Sequence, residues 1–109
     1  MLLILAVAIF FPKSRQGANP DAEYIRVMNT GKNYLDQGQA TNAIPLFARA
    51  VQIQPSRSDA HLNLANAYLL AGHADEALKE AQEALNYDRN SAAAYYVCLL
   101  YTSPSPRDS

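Results

Sequence analysis

The stretch Val27–Pro55, VMNTGKNYLDQGQATNAIPLFARAVQIQP, decides the fold because it recurs farther along the chain. A shift of 34 residues brings like residues together: Tyr34 with Tyr68, Gly38 with Gly72, Ala43 with Ala77 and Ala50 with Ala84. A fixed period with matched residue types is typical of a protein built from repeated structural units.

Each copy predicts two helices, because its apolar and small residues recur at positions that share one helix face. In copy one the two stripes are Val27, Thr30, Gly31 and Tyr34, then Ala43, Phe47 and Ala50. In copy two they are His61, Leu64, Ala65 and Tyr68, then Ala77, Ala81 and Ala84. Gly38 and Gly72 separate the stripes, where a helix can end in a left-handed residue without a steric penalty. We therefore expect antiparallel helix pairs joined by short turns.

This pattern resembles the tetratricopeptide repeat family, whose units follow W-x2-L-G-x2-Y…A-x3-F…P. Copy one matches at Gly31, Tyr34, Ala43, Phe47 and Pro55, with Val27 and Thr30 in place of Trp and Leu. Copy two matches at Leu64, Tyr68 and Ala77, with His61, Ala65, Ala81 and Arg89 at the other positions. The resemblance covers about residues 24–97 and implies an all-α fold, an α-solenoid of antiparallel helix pairs with an apolar segment before it.

The sequence divides into four parts. We expect an apolar segment at residues 1–11, a linker at 12–20, the repeat array at 21–97 and a non-native tail at 98–109. The array contains repeat 1 at 24–57, repeat 2 at 58–91 and the start of a third repeat at 92–97. The predicted helices are Asp21–Gln37, one from about Thr41, one ending near Ala71, Ala74–Tyr87 and one from Ala92.

Helix starts follow from capping residues. Asn19 is predicted to cap the first helix, with Pro20 at its first position. The remaining predicted caps are Thr41, then Ser56 or Ser58, then Asn90-Ser91. Pro45 lies inside the second helix, and we expect a helix that begins loosely around it and is not broken.

The composition of the chain limits the functions that it can have. The chain has 109 residues, is 50% hydrophobic and carries a formal net charge of −1, so it can form one domain with a modest core. No basic patch is visible, which argues against a nucleic-acid surface. Cys98 is the single cysteine, so no internal disulfide can form.

No residue pattern indicates catalysis, a cofactor or a metal. His61 and His73 lack metal-ligand spacing, and His61 takes the packing position of the family tryptophan, so we expect a core histidine. Glu76, Glu80 and Glu83 share a helix face that we interpret as solvated. We therefore predict that the chain is not an enzyme and needs no cofactor.

The run Leu2–Phe11 is apolar throughout but shorter than the roughly 20 residues of a membrane-spanning helix. It lacks the basic start of a signal peptide. We interpret it as a short anchor or as part of a longer membrane helix, which predicts a protein of the membrane or cell envelope. The alternative is a buried or frayed apolar helix in a cytoplasmic protein.

The run Cys98–Asp108, CLLYTSPSPRD, abandons the repeat pattern and resembles a translated transposase sequencing adaptor. We therefore expect the native sequence to end near Val97. The alternative is a native tail rich in serine and proline.

By resemblance to the family, the first helix of each pair lines a concave groove. The expected groove residues are Ile25, Met28, Asn29, Lys32 and Asp36, then Asp59, Leu62, Asn63, Asn66 and Leu70. Chaperone-binding members of the family hold a carboxylate with Lys and Asn side chains of successive repeats, and here only Asn63 matches that clamp. Met28 and Lys32, and then Ala93 and Val97, stand at its other positions. The resemblance therefore implies a protein or peptide partner other than a chaperone tail.

Three functions remain open at the level of sequence. The first is a non-enzymatic scaffold that binds a protein or peptide partner and is tethered to a membrane. The second is a repeat segment of a larger enzyme, such as a transferase. The third is a self-associating assembly module, because fewer than three complete repeats leave an apolar edge.

Overall fold

The computed structural model describes residues 19–102. The apolar segment at 1–11, nearly all of the linker and the tail beyond Thr102 lie outside these residues, so the predictions made for them stay predictions. Five helices occupy the described part: α1 (Pro20–Asp36), α2 (Ala40–Ile53), α3 (Ser58–Leu70), α4 (Ala74–Tyr87) and α5 (Ala92–Thr102). Residues 19–102 contain no strand. The all-α prediction is confirmed.

The helices form two hairpins and part of a third. Each helix packs chiefly on its neighbour in sequence, α1 on α2, α2 on α3, α3 on α4 and α4 on α5. The first helices of successive hairpins also touch, α1 with α3 and α3 with α5. These contacts place the hairpins side by side, with α1, α3 and α5 neighbouring one another on one side of the stack.

Two apolar clusters fill the spaces between the helices. The first cluster is Tyr24, Val27, Met28, Ala43, Phe47, Ala50, Ala60, Leu64 and Ala67. The second cluster is Ala65, Ala77, Ala81 and Val97. The Tyr68 side chain packs against both. Because the first cluster takes residues from both hairpins and Tyr68 joins it to the second, the two hairpins share one continuous core.

Gly31 lets the two helices of the first hairpin approach closely. A Cβ atom on Gly31 would lie 2.6 Å from Cε1 and 2.8 Å from Cζ of Phe47, and Phe47 is fully buried. Real carbon atoms do not approach so closely, so only glycine fits here with the phenylalanine in place. The close packing of α1 and α2 thus requires a glycine at residue 31 opposite the phenylalanine at residue 47.

Both hairpin turns end the first helix in the same way. Gly38 and Gly72 have φ values of +75° and +87°. Beyond Gly38, the Gln39 N–H donates to the Tyr34 carbonyl at 2.8 Å. The repeat-equivalent bond from His73 to Tyr68 has the same length. Each turn is therefore a Schellman ending with glycine in the left-handed region, as the sequence predicted.

The helix caps were predicted in part. The Asn19 side chain accepts from the Asp21 N–H at 2.9 Å, and Ser91 Oγ accepts from the Ala94 N–H at 3.2 Å, so these two caps are confirmed. The cap predicted at Thr41 is wrong, because Thr41 lies inside α2 and Gln39 precedes the helix without a side-chain cap bond. The cap predicted at Ser56 or Ser58 is also wrong.

Ser58 has another partner in the fold. Arg57 precedes α3 without a side-chain cap bond, and Ser58 Oγ donates to the Ala84 carbonyl at 3.0 Å. The hydroxyl therefore joins the start of α3 to the end of α4. The Ser58 hydroxyl bonds to a carbonyl of another helix and does not cap its own helix. The sequence alone does not reveal this distant acceptor.

Two further predictions concern α2 and α5. Pro45 lies inside α2, which is one helix from Ala40 to Ile53, so the proline does not break it, as predicted. The last helix runs to Thr102, five residues past the predicted end of the pattern at Val97.

Candidate functional site

The predicted groove residues lie on α1 and α3, which neighbour each other in the stack. Their exposure differs. Asn29, Lys32, Asp36, Asp59 and Leu70 are exposed, and Asn63 and Asn66 are half-buried. With the exposed Ile25 and the half-buried Leu62 included, the set mixes one cation, two carboxylates, three amides and three apolar side chains, so this surface has no dominant charge.

Met28 differs from the other groove residues. It is only 7% exposed and belongs to the first core cluster, whereas the sequence had placed it among the contact residues. Its sulfur accepts a weak hydrogen bond from Nδ2 of Asn63 at 3.9 Å. This contact joins α1 to α3 and shows that predicted groove positions of successive helices meet. Met28 therefore lies beneath the surface and contributes little exposed area to it.

A pocket of about 320 Å³ lies where the first turn of α1 meets the connection between α2 and α3. It is lined by Asp21, Tyr24, Ile25, Gln54 and Arg57. Ile25 is 56% exposed and is also one of the expected groove residues. The pocket therefore lies beside the predicted groove, at the N-terminal end of α1. Sequence analysis did not predict it.

The charged and amide groups of this pocket already have partners. Gln54 Nε2 donates to the Asp21 carboxylate at 2.8 Å, and the Arg57 guanidinium lies 3.4 Å from the Asp59 carboxylate. The same guanidinium lies 5.0 Å from the centre of the Tyr24 ring, within the range of a cation–π contact. The pocket thus offers apolar walls and one guanidinium face, without an unpaired charge.

The Tyr24 hydroxyl is the exception among these polar groups. Tyr24 is 5% exposed, and its hydroxyl oxygen is buried without a hydrogen-bond partner in the part of the chain that the structure describes. Burial raises the pKa of the phenol, with the nearby Arg57 opposing this effect and Asp59 adding to it. The hydroxyl therefore stays neutral, and its burial costs free energy.

An ion pair fixes the outer edge of the first hairpin. Arg49 of α2 donates to both carboxylate oxygens of Glu23 of α1, from Nε at 3.0 Å and from an Nη at 3.2 Å. This hydrogen bond is the main reason that the pKa of Glu23 lies below its usual range. Both side chains are substantially exposed, so the pair positions the helices more than it stabilises them.

A family model described as tetratricopeptide repeat matches residues 34–98, more than half of the chain. The chain belongs to the tetratricopeptide repeat family. The match spans the end of α1, all of α2, the whole second hairpin and the first part of α5, in agreement with the observed stack. No curated protein matches the chain.

Solved structures of the family share the fold. The second repeat domain of human RPAP3, in complex with the HSP70 peptide SGPTIEEVD, has a TM-score of 0.70 and 22% identity over 73% of this chain and 67% of that one. The second repeat domain of Spaghetti (RPAP3), bound to the HSP90 peptide SRMEEVD, has a TM-score of 0.67 and 22% identity, covering 70% of each chain. At this identity the likeness shows the fold alone.

A third similar structure is larger than this chain. The TPR2AB domain of yeast Sti1, in a complex with HSP90, has a TM-score of 0.71 and 19% identity over 85% of this chain. The chain covers 36% of that structure's length.

In this tetratricopeptide fold His61 is a core residue, as predicted. It is 6% exposed, and its ring stacks on Tyr87 with centroids 5.6 Å apart. Nδ1 lies 2.9 Å from a Glu80 carboxylate oxygen, and Nε2 lies 2.7 Å from the Pro55 carbonyl oxygen. His61 therefore ties α3 to α4 and to the connection between the hairpins. The partners were not visible in the sequence, although the helical spacing placed His61 correctly.

The repeat pattern is incomplete at α5. Tyr95 occupies the position of His61 and Val27, and Leu99 that of Ala65 and Gly31. Those positions are buried in α1 and α3, whereas Tyr95 is 51% and Leu99 61% exposed. Leu99 also places a bulky side chain where the two complete hairpins need a small one. The packed face of α5 is formed instead by Ala94 and Val97, both buried.

The described residues show neither a metal cluster nor a membrane-spanning helix. Within residues 19–102, no group of three or more His, Cys, Asp or Glu side chains could hold a metal ion. No helix in the same range is both long and apolar enough to cross a membrane. The predicted anchor, Leu2–Phe11, lies outside that range.

Proposed function

We propose that this tetratricopeptide chain is a protein-interaction module that binds an extended peptide segment of a partner across α1 and α3. The observation that carries the proposal is the Asn63–Met28 contact, because it brings the predicted groove faces of successive helices together. Similar repeat domains that are recorded with bound peptides support a peptide as the partner.

The side chains on this face suit an extended peptide. Asn29, Asn63 and Asn66 each carry an amide that can donate to and accept from a peptide backbone. Leu70 is 66% exposed and Ile25 is 56% exposed, so they supply apolar contact area at opposite ends of their helices. Backbone hydrogen bonds with a few apolar contacts give affinity without requiring a charged ligand.

The charge of this face argues against an acidic chain end as the ligand. The peptides in the RPAP3 complexes end in EEVD. In this chain the buried Met28 and the neutral Ala93 and Val97 stand where the family's clamp has basic or amide groups. Lys32 is the one exposed cation among the predicted groove residues, and Asp36 and Asp59 flank this face. The proposed partner is therefore a peptide without clustered carboxylates.

We also propose, from the sequence, that Leu2–Phe11 tethers the module to a membrane. Flotation of the full chain with lipid vesicles tests the tether, with a variant carrying Leu5→Asp and Ala8→Asp as the control. Flotation of the wild-type chain alone supports it. Equal behaviour of the two chains would rule it out.

Peptide selection tests the main proposal. Peptides selected from a random library against the immobilised full chain are expected to bind in solution, as measured by fluorescence anisotropy. Asn63→Ala and Asn66→Ala should each weaken binding by about tenfold, since a hydrogen bond in a desolvated interface contributes about 1–2 kcal/mol. The exposed outer-face variants Gln52→Ala and Gln82→Ala serve as matched controls and should bind normally.

Three results would contradict this function. They are a library that yields no binder, binding that is insensitive to Asn63 and Asn66, and binding that the outer-face variants abolish. The peptide SRMEEVD is a further arm of the same experiment. It should bind more weakly than the selected peptides, and tighter binding would contradict the proposed ligand class.

Self-association is a second candidate, favoured by the exposed face of α5. Tyr95 stands at a position that a second helix covers in both complete hairpins, and it is 51% exposed. Sedimentation of the full chain and of Tyr95→Lys tests it. Dimers that the substitution dissociates are expected, and a wild-type monomer at high concentration would exclude self-association.

A further inference from the structure

We propose that the pocket between α1 and the α2–α3 connection holds an aromatic side chain of the partner, stacked on the open face of Arg57. This inference rests on the proposed peptide-binding function and names the chemistry of one anchor within it. The pocket is distinct from the clamp positions of the family, which lie farther along α1, α3 and α5.

The size of the pocket suits one side chain. Its volume of about 320 Å³ lies at the lower end of the roughly 300–1,000 Å³ that is typical of ligand sites. Ile25 and the Tyr24 ring supply the apolar surface, and Ile25 is exposed before any ligand arrives. A buried apolar or aromatic anchor in such a pocket is the usual source of affinity in peptide recognition.

The guanidinium of Arg57 selects an aromatic ring over an aliphatic side chain. One side of this planar group lies over the Tyr24 ring at 5.0 Å. The Arg57 side chain is 48% exposed, so another aromatic ring can approach its remaining face. A guanidinium between two rings makes cation–π contacts with both, which an aliphatic ligand cannot match.

The charges around the pocket disfavour an acidic ligand. Asp21 lines the pocket, and Asp59 is bound to Arg57 at 3.4 Å. An incoming carboxylate would have to displace Asp59 and approach Asp21. A neutral aromatic ring leaves both existing contacts, Gln54 with Asp21 and Arg57 with Asp59, in place.

The test uses blocked amino acids as probes, so it does not depend on knowing the partner. The probe N-acetyl-phenylalaninamide is titrated into the ¹⁵N-labelled full chain, with N-acetyl-leucinamide and N-acetyl-glutamate as comparisons. The phenylalanine probe should shift the amide signals of residues 21–25 and of Gln54, Ser56 and Arg57. Its binding should be about two- to fivefold tighter than that of the leucine probe, the factor expected of one exposed cation–π contact.

Variants assign the effect to the guanidinium. Arg57→Ala should remove the preference for the aromatic probe, and Arg57→Lys should reduce it, since an ammonium lacks the planar face. Arg26→Ala is the matched control, because Arg26 is an exposed arginine on the same helix as Ile25 but does not line the pocket. It should leave the preference unchanged, and circular dichroism checks that all variants remain helical.

Several outcomes would overturn the proposal. They are the absence of shifts at these amides around the pocket, equal binding of the leucine probe, tighter binding of the glutamate probe, and an aromatic preference that survives Arg57→Ala. The peptide-binding function is judged separately. If selected peptides depend on Asn63 and Asn66 while the aromatic probe leaves the pocket signals unchanged, the anchor is refuted and the function stands.

Discussion

At the scale of single residues, Gly31 shows how one missing methyl group sets the spacing of two helices. Phe47 occupies the space that any side chain at residue 31 would need. In the second hairpin the equivalent pair is Ala65 and Ala81, where a small residue faces another small residue. The two hairpins therefore keep their helices close with different residue pairs. This difference explains why the second hairpin matches the family pattern only in part.

Gly31→Ala should destabilise the chain by about 1–3 kcal/mol, the cost of overpacking a core. Urea unfolding followed by circular dichroism measures the change. The double variant Gly31→Ala with Phe47→Leu should cost less than the sum of the two single changes, because the smaller side chain relieves the contact. Strict additivity, or a neutral Gly31→Ala, would show that the helices have room to separate.

Tyr24→Phe is expected to stabilise the chain by about 1 kcal/mol, because it removes a buried hydroxyl without a partner in the described residues while keeping the ring. The same unfolding experiment measures this gain. Tyr95→Phe, at a half-exposed tyrosine, should change little and serves as the control. A loss of stability in Tyr24→Phe would mean that the hydroxyl does make a favourable hydrogen bond.

At the scale of helices and turns, the sequence predicts most of the fold. Helix α4 begins and ends where expected, α5 begins where expected, and the boundaries of α1 are each displaced by one residue. These elements depend on local signals, namely helical spacing, the Asn19 cap and the turn glycines. The wrong caps, Thr41 and Ser58, arose where a distant partner or the local turn geometry overrode the capping preference.

The turn glycines provide a test at this scale. Gly38→Ala and Gly72→Ala should each cost about 1–2 kcal/mol, because a Cβ atom is strained at positive φ. Neither position has any atom within 4 Å of an added Cβ, so the cost is conformational and does not come from a clash. Ala71→Gly, beside the second turn at a φ of −86°, is the control and should cost less. Unchanged stability in both alanine variants would contradict the left-handed geometry.

The candidate site was less predictable than the helices. The family resemblance placed Asn63 and Asn66 of α3 and Met28 of α1 among the groove residues, but Met28 is buried in the core. Burial of Met28 depends on how deeply the first helices of the two hairpins pack, which a repeat pattern does not specify. The sequence did not predict the pocket between α1 and the α2–α3 connection, because its lining residues come from the start of α1 and from a connection about thirty residues later in the chain.

At the scale of the whole molecule, the two hairpins behave as one unit because they share a core. Tyr68 packs against both apolar clusters, whereas its repeat equivalent Tyr34 packs against the first cluster alone. The His61 contact to the Pro55 carbonyl adds a polar link between the second hairpin and the connection that leads from the first. In an array of this kind, stability depends on the interfaces between neighbours as much as on the units themselves.

Tyr68→Ala should therefore cost more than Tyr34→Ala and broaden the thermal transition. Removal of a large core side chain costs about 3–5 kcal/mol when burial is complete. Both rings are half-buried, so we expect Tyr34→Ala to fall below this range. Calorimetry gives the calorimetric and van't Hoff enthalpies, which should diverge only in Tyr68→Ala. Equal effects of the two variants would refute the bridging role.

The most direct test of the central claim is an amide chemical-shift map of a selected peptide bound to the ¹⁵N-labelled full chain. The claim is that two stacked hairpins present the joined faces of α1 and α3 to a partner. The predicted result is a continuous set of shifted signals along α1 and α3 that includes Asn29, Asn63 and Asn66, with α2 and α4 largely unchanged. A map confined to one hairpin, or centred on the outer faces of α2 and α4, would contradict the claim.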